Sequence, residues 1–251
     1  VTIPLQTKII YGPLKSRRFG NSLGINLLPS DQKVCNFDCV YCQYDRSALA
    51  THTVFPELNE IEAEASLFMS DAVKQGVTLD WITIAGNGEP TLHPQFEEVV
   101  KRLLALRDRL LPGVPVGILS NASTCHRPEI RRTLALLDGR FMKLDAGSPS
   151  VFASVNRPSG PERWGGTVAG LRALERTVLQ SLFFDGTEHN VEPAQIDDWV
   201  DIVGYIRPES VQVYTIDRPT RLHGLQAVPT EKLQRIAAQL TTQTGIPADI
   251  Y

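Results

Sequence analysis

The chain has 251 residues, 42% of them hydrophobic and 21% charged, a globular composition with length enough for a sizeable buried core. Its 25 Lys+Arg against 28 Asp+Glu give a net charge of -3, so it lacks the overall basic excess by which a nucleic-acid binder is recognised. No apolar run reaches the ~18 residues of a membrane span, and Lys8, Lys15, Arg17 and Arg18 have no apolar secretory core beside them. Together these predict a soluble, cytoplasmic protein with no membrane partner.

In chain order the pattern alternates between strand and helix. An apolar segment, Leu23 to Leu28, ends at Pro29 and leads into a cysteine-bearing loop. Ile61, Ala65, Phe68 and Ala72 then recur at helical spacing as far as Gly76, and Trp81 to Ala85 reads as a buried strand. Phe96, Val99, Leu103, Leu106 and Leu110 form a second helical stripe, closed by Pro112 and Gly113, before the strand Val116 to Leu119. Ile130, Leu134 and Leu137 predict a third helix, Phe141 to Leu144 a strand, Trp164, Val168, Leu171 and Leu174 a helix, and Leu179 to Phe184 a strand. Ile196, Trp199, Val200 and Val203 predict a fifth helix and Val211 to Ile216 a sixth strand. Leu233, Ile236, Ala237 and Leu240 predict a last helix, capped by Thr230 and stopped at Gly245.

Six strand–helix units in series demand right-handed crossovers between parallel strands. The fold class is therefore α/β, a partial (β/α)6 TIM-like barrel with outer helices, because a closed barrel normally has eight units. No repeat, low-complexity tract or Gly/Ser linker divides it, which predicts a single domain over residues 1–251. Loops at the C-terminal ends of parallel strands collect the chemistry of such folds.

Only four cysteines occur, and Cys35, Cys39 and Cys42 fall within eight positions. Disulfides are discouraged between such close neighbours, so the bunching points to a metal. Zinc would need a fourth ligand, for which His52 is the nearby histidine, and simple ferredoxin spacing is C-x2-C-x2-C. A zinc-bound interaction module and an iron–sulfur electron carrier are therefore the non-catalytic alternatives.

The C-x3-C-x2-C run with Tyr41 before the last cysteine, joined to Gly86-Asn87-Gly88-Glu89 after the second strand, resembles the radical S-adenosylmethionine (radical SAM) enzymes. The resemblance runs from Arg17 to about Tyr214. It implies a [4Fe–4S] cluster on Cys35, Cys39 and Cys42 whose open iron takes SAM. It also implies reductive cleavage to methionine and a 5′-deoxyadenosyl radical, and hydrogen abstraction from substrate. Gly86 and Gly88, which lack a Cβ, imply close backbone approach to the methionyl end of SAM, and Glu89 implies a partner for its ammonium. Ser120-Asn121-Ala122 stands where relatives carry Thr-Asn-Gly, Lys143-Leu144-Asp145 is similar to a ribose-contacting segment, and Tyr41 offers an adenine wall. Asn121, Asp145 and Tyr41 are thus cofactor candidates beside Gly86, Gly88 and Glu89.

Within the superfamily, the segment from Ser16 to Asn26 and Phe37 to Cys42 resembles the group that includes the tRNA wyosine-base synthases. Those enzymes build a second cluster from further cysteines; here only Cys125 remains, so wyosine-like base modification stands as an alternative. The substrate class is open among a small metabolite, a peptide and an RNA base, and the resemblance implies an electron donor such as a flavodoxin or ferredoxin. Arg127, Arg131 and Arg132 after the third strand, and Arg218 and Arg221 after the sixth, are candidate forks for phosphate or carboxylate. His93, His126, His189 and His223 have no ligand spacing.

Overall fold

A computed structural model describes residues 3–45, 53–159 and 164–251. The element order is β1 (Ile10–Ser16), β2 (Gly20–Ile25), α1 (Leu58–Lys74), β3 (Trp81–Ile84), α2 (Phe96–Leu110), β4 (Val116–Ser120), α3 (Pro128–Leu134) and β5 (Gly139–Lys143). It continues with α4 (Pro149–Val155), α5 (Trp164–Arg172), β6 (Thr177–Gly186), α6 (Pro193–Ile206), β7 (Ser210–Thr215), β8 (Leu225–Ala227), α7 (Thr230–Thr244) and β9 (Ala248–Ile250).

Strands β2 to β7 pair in sequence order and all in parallel. These are the six anticipated strands. The sheet order is β1-β2-β3-β4-β5-β6-β7-β9, with β8 antiparallel on β6, so the sheet has two free ends and stays a partial barrel. Aliphatic residues of α1, α2, α6 and α7 and of one face of the strands form the main core; Ile61, Met69, Leu103, Val203 and Leu240 are almost fully buried there against Ile82, Ile84 and Val211. Phe19, Trp81 and Phe141 lie outside that core and meet edge to face at 4.6–5.9 Å. Gly139 makes room for them: a Cβ there would stand 2.7 Å from the Phe141 ring and 2.8 Å from Trp81.

Several elements differ from the sequence expectation. β1 was invisible to period-2 reading because Gly12-Pro13 interrupts it; it is an edge strand with a register shift between Tyr11 and Leu14, where proline is tolerated. β8 and β9 have three residues each and α4 has seven, too few to show a period. The first parallel strand ends at Ile25 rather than Leu28, since Asn26 turns the chain by bonding both the N–H and C=O of Leu28 with its side chain. Thr230 opens α7 as its first helical residue, and the cap position belongs to Pro229. Gly245 ends that helix as anticipated, in the left-handed region with φ +74 and its N–H on Thr241 O.

The cysteine loop follows β2, the Gly86 turn follows β3, Ser120-Asn121 closes β4 and Asp145 follows β5. Parallel strands bring all four to one rim.

Candidate active site

The cysteine loop is strapped to the rim by backbone hydrogen bonds on both sides. Val34 N donates to Asn87 O at 2.8 Å and Glu89 N to Val34 O at 2.9 Å, forming a parallel bridge with Gly88. Gly88 has φ +138, and a Cβ on it would lie 1.9 Å from Val34 O; a Cβ on Gly86 would lie 2.1 Å from Asn26 Oδ1. On the side where a Cβ would stand, the two glycines thus admit neighbouring protein. Asn87, fully buried, exchanges hydrogen bonds with Gln6 at 2.8 and 2.9 Å and donates to Pro29 O at 2.8 Å, tethering the N-terminal segment. On the far side, Asp38 N reaches Asn156 O, Val40 N reaches Val155 O, and Arg221 N reaches Cys42 O.

Cys35 is buried, and Cys39 and Cys42 are half-buried. Asn121 Nδ2 stands 3.6 Å from Cys35 Sγ, and Asn156 Nδ2 3.5 Å from Cys39 Sγ. Burial pushes the Cys35 thiol up to about 12 and the Cys39 thiol up to about 11. Lys33 is only 5% exposed, and its Nζ has no oxygen or nitrogen acceptor. Burial would lower its pKa, but the negative charges available to Cys42, Cys35 and Cys39 turn the shift upward.

Among the described residues no three His, Cys, Asp or Glu side chains are gathered tightly enough for a single metal ion, and His52 lies outside the described residues. A cubane makes a different demand, since each thiolate binds its own iron. Three thiols on one loop, two amides beside sulfur and a buried ammonium facing the thiols suit an anionic cluster of that kind.

Two buried carboxylates organise the rim. Glu89 Oε1 accepts from Thr91 N (3.1 Å), Thr91 Oγ1 (2.6 Å) and Ser120 Oγ (2.8 Å), while Oε2 accepts from Asn121 N at 2.6 Å. Burial still raises its pKa despite these donors. Asp145 accepts from Leu182 N at 2.8 Å, Asn156 Nδ2 at 3.0 Å and the Tyr41 hydroxyl, and pairs with Lys143 at 3.0 Å. Both were anticipated as direct ligands of SAM; here their oxygens are engaged by the protein itself. Tyr41 packs edge to face on Phe184 at 5.7 Å, and Lys143 stands over its ring at 4.8 Å. The space enclosed by Phe37, Asn121, Asp145 and Asn156 is about 10 Å³, no more than a water occupies.

The structure thus brings together Cys35, Cys39, Cys42, Tyr41, Gly86, Gly88, Glu89, Asn121 and Asp145. Lys33 and Asn156 join them without having been anticipated, and Lys143 joins them from the segment that carries Asp145. Lys33 was legible as a cation two residues before Cys35, whereas Asn156 follows α4, a helix too short to be seen. The remaining candidates have other surroundings. Arg221 pairs with Asp38 of the cysteine loop at 2.9 Å, Arg131 donates to Cys125 O at 2.6 Å, and Arg127 and Arg132 are exposed. Cys125 is fully buried in the main core, and burial pushes its thiol far up. His93 is a buried bracing residue, bonded to Pro56 O at 3.1 Å and edge to face with Phe55.

The sequence model of the Radical SAM superfamily matches residues 30–182, more than half of the chain, and the chain belongs to that superfamily. It is 28% identical over 251 residues to a Brachyspira hyodysenteriae protein named GTPase Obg, covering 98% of this chain and 35% of that one. A UPF0026 protein of Helicobacter pylori is 29% identical over 217 residues, covering 84% of this chain and 67% of its own length. Among solved structures, a radical SAM methyltransferase from Sphaerobacter thermophilus matches with TM-score 0.67 and 18% identity over 92% of this chain and 65% of that one. TYW1 with a lysine-pyruvate adduct matches with TM-score 0.64 and 14% identity over 89% and 74%. The partial barrel is therefore the fold of radical SAM enzymes, and the chain spans about a third of the length of the first of these curated relatives. No helix among the described residues is long and apolar enough to cross a membrane.

Proposed function

We propose that the chain, acting as one radical SAM domain, holds a [4Fe–4S] cluster on Cys35, Cys39 and Cys42 and cleaves SAM reductively to begin hydrogen abstraction from a substrate. The observation that carries this reading is the strapping of the three-thiol loop to the Gly86-Asn87-Gly88-Glu89 turn, with Lys33 buried behind the thiols. When bound, the cluster supplies the electron that splits the C–S bond of SAM.

The residues around it have separable tasks. Lys33 offsets negative charge that burial would otherwise penalise. Asn121 and Asn156 place amide donors beside sulfur, as partners that tune a metal centre do. Glu89 holds Asn121 through its main-chain N–H, and an arriving ammonium takes the place of a hydroxyl donor from Thr91 or Ser120 at little cost, because hydroxyls rotate. Asp145 fixes Tyr41 and Asn156 together, so that the aromatic ring and the amide beside Cys39 keep one orientation. Gly86 and Gly88 act by letting the two loops approach.

Anaerobic reconstitution with iron and sulfide, followed by SAM and dithionite as reductant, tests the reading. The expected result is 5′-deoxyadenosine formed in proportion to bound iron, and a flavodoxin or ferredoxin serving in place of dithionite. A cluster-replete sample that leaves SAM intact is an electron carrier, and tight zinc after aerobic purification marks a structural metal site.

A further inference from the structure

A pocket of about 400 Å³ lies between the two ends of the open sheet, within the range of small-molecule sites. β1 and the turn to β2 form one side, β7 and the segment after it the other, and Tyr41 joins the pocket to the cysteine loop. Four cations line it, Lys15, Arg17, Arg18 and Arg218, against a single acid, Asp217. Asp217 is committed to Arg17 at 2.8 Å. Lys15, Arg18 and Arg218 make no ion pair among the described residues.

Arg18 is the informative member. Its guanidinium carbon stacks 4.7 Å from the centre of the Tyr214 ring and 5.9 Å from that of Phe19, and its Nη1 is buried with no acceptor. Tyr214 is itself held, because Lys143 Nζ donates to its hydroxyl and stands 4.6 Å from its ring. Stacking therefore fixes the guanidinium in one place while its charge and one donor go unanswered. A buried donor without an acceptor is costly, and what would answer it is an anion.

We propose that this pocket binds the phosphoryl group of a phosphorylated small molecule. Three unpaired cations exceed what one carboxylate balances, whereas a phosphomonoester brings about -1.5 to -2 charges and three strong acceptor oxygens at neutral pH. SAM itself fits poorly, because its sulfonium adds a cation to a cationic wall. That the ligand is the substrate of the radical reaction rests on the function proposed above; that the pocket takes a phosphoryl group does not.

Calorimetric titration of the reconstituted full chain with inorganic phosphate, dimethyl phosphate and acetate tests the assignment. Inorganic phosphate is expected to bind about tenfold or more tighter than either other probe, and Arg18→Met to weaken it by about tenfold or more. Arg109→Met, on the exposed side of α2, leaves the affinity unchanged. If Arg18→Met melts early, Arg218→Met and Lys15→Met at exposed positions serve instead, each weakening phosphate by about threefold. An unchanged affinity in these variants overturns the site. Equal binding of dimethyl phosphate or acetate overturns the phosphomonoester, and displacement of phosphate by SAM gives the pocket to SAM. Phosphate binding in a chain that makes no 5′-deoxyadenosine sinks the proposed reaction alone; 5′-deoxyadenosine without phosphate binding sinks this inference alone.

Discussion

The main-chain N–H of Asn121 donates to Glu89 Oε2 at 2.6 Å, so the end of β4 is held by a carboxylate that begins in the turn after β3. The same Asn121 turns its side-chain amide to within 3.6 Å of Cys35 Sγ. One carboxylate therefore fixes the position of a group beside the first thiol.

Glu89→Gln is expected to lower stability by about 2 kcal/mol, because an amide replaces a charged acceptor of four hydrogen bonds in a buried setting. Its 5′-deoxyadenosine yield per bound iron is expected to fall at least tenfold. Thermal melting and product chromatography read the two effects separately; a variant with full yield would leave Glu89 a purely structural residue.

Tyr41→Phe removes the hydroxyl donor of Asp145 while leaving the ring on Phe184. The expected cost is about 1–3 kcal/mol for a buried acceptor with one donor fewer. The ring should keep its place, so iron content stays near wild type. Loss of iron without loss of melting temperature would assign Tyr41 to the metal centre instead.

The proposed site accounts for one cluster. Cys125 is buried in the main core beneath α5, where a Cβ on Gly170 would lie 2.4 Å from its carbonyl carbon. Cys125→Ala should therefore retain ~4 iron per chain, the content of one cubane, and Cys39→Ala should lose it. Iron near ~8 per chain, two cubanes, would contradict both.

Lys33→Met keeps the length of a buried side chain and removes its charge. A unit charge about 7 Å away in an effective dielectric of about 20 is worth on the order of 2.4 kcal/mol, or about 100 mV for one electron. The midpoint potential of the reconstituted cluster should fall by that order, since the reduced, more negative state loses a buried cation beside the thiols. Redox titration followed by electron paramagnetic resonance measures it, and an unchanged potential would remove Lys33 from the site.

The sequence by itself determined the six parallel strands, the helices that cover them and the loops that carry Cys35, Cys39, Cys42 and Glu89. Those features rest on local periodicity and on spacing along the chain, and β2 to β7 occur in the predicted order. What only the tertiary structure decided are relations between residues far apart in sequence. Asn156 reaches Asp145 and the vicinity of Cys39, Arg221 closes on Asp38, and Arg18 crosses the open seam to stack on Tyr214. The glycines show the same division: Gly88 was legible as a turn, but that its missing Cβ makes room for Val34 O depends on a loop more than fifty residues earlier in the chain. Period and spacing are properties of one segment, whereas burial of Glu89, Asp145 and Lys33 exists only once separate strand ends share a rim and exclude water from it.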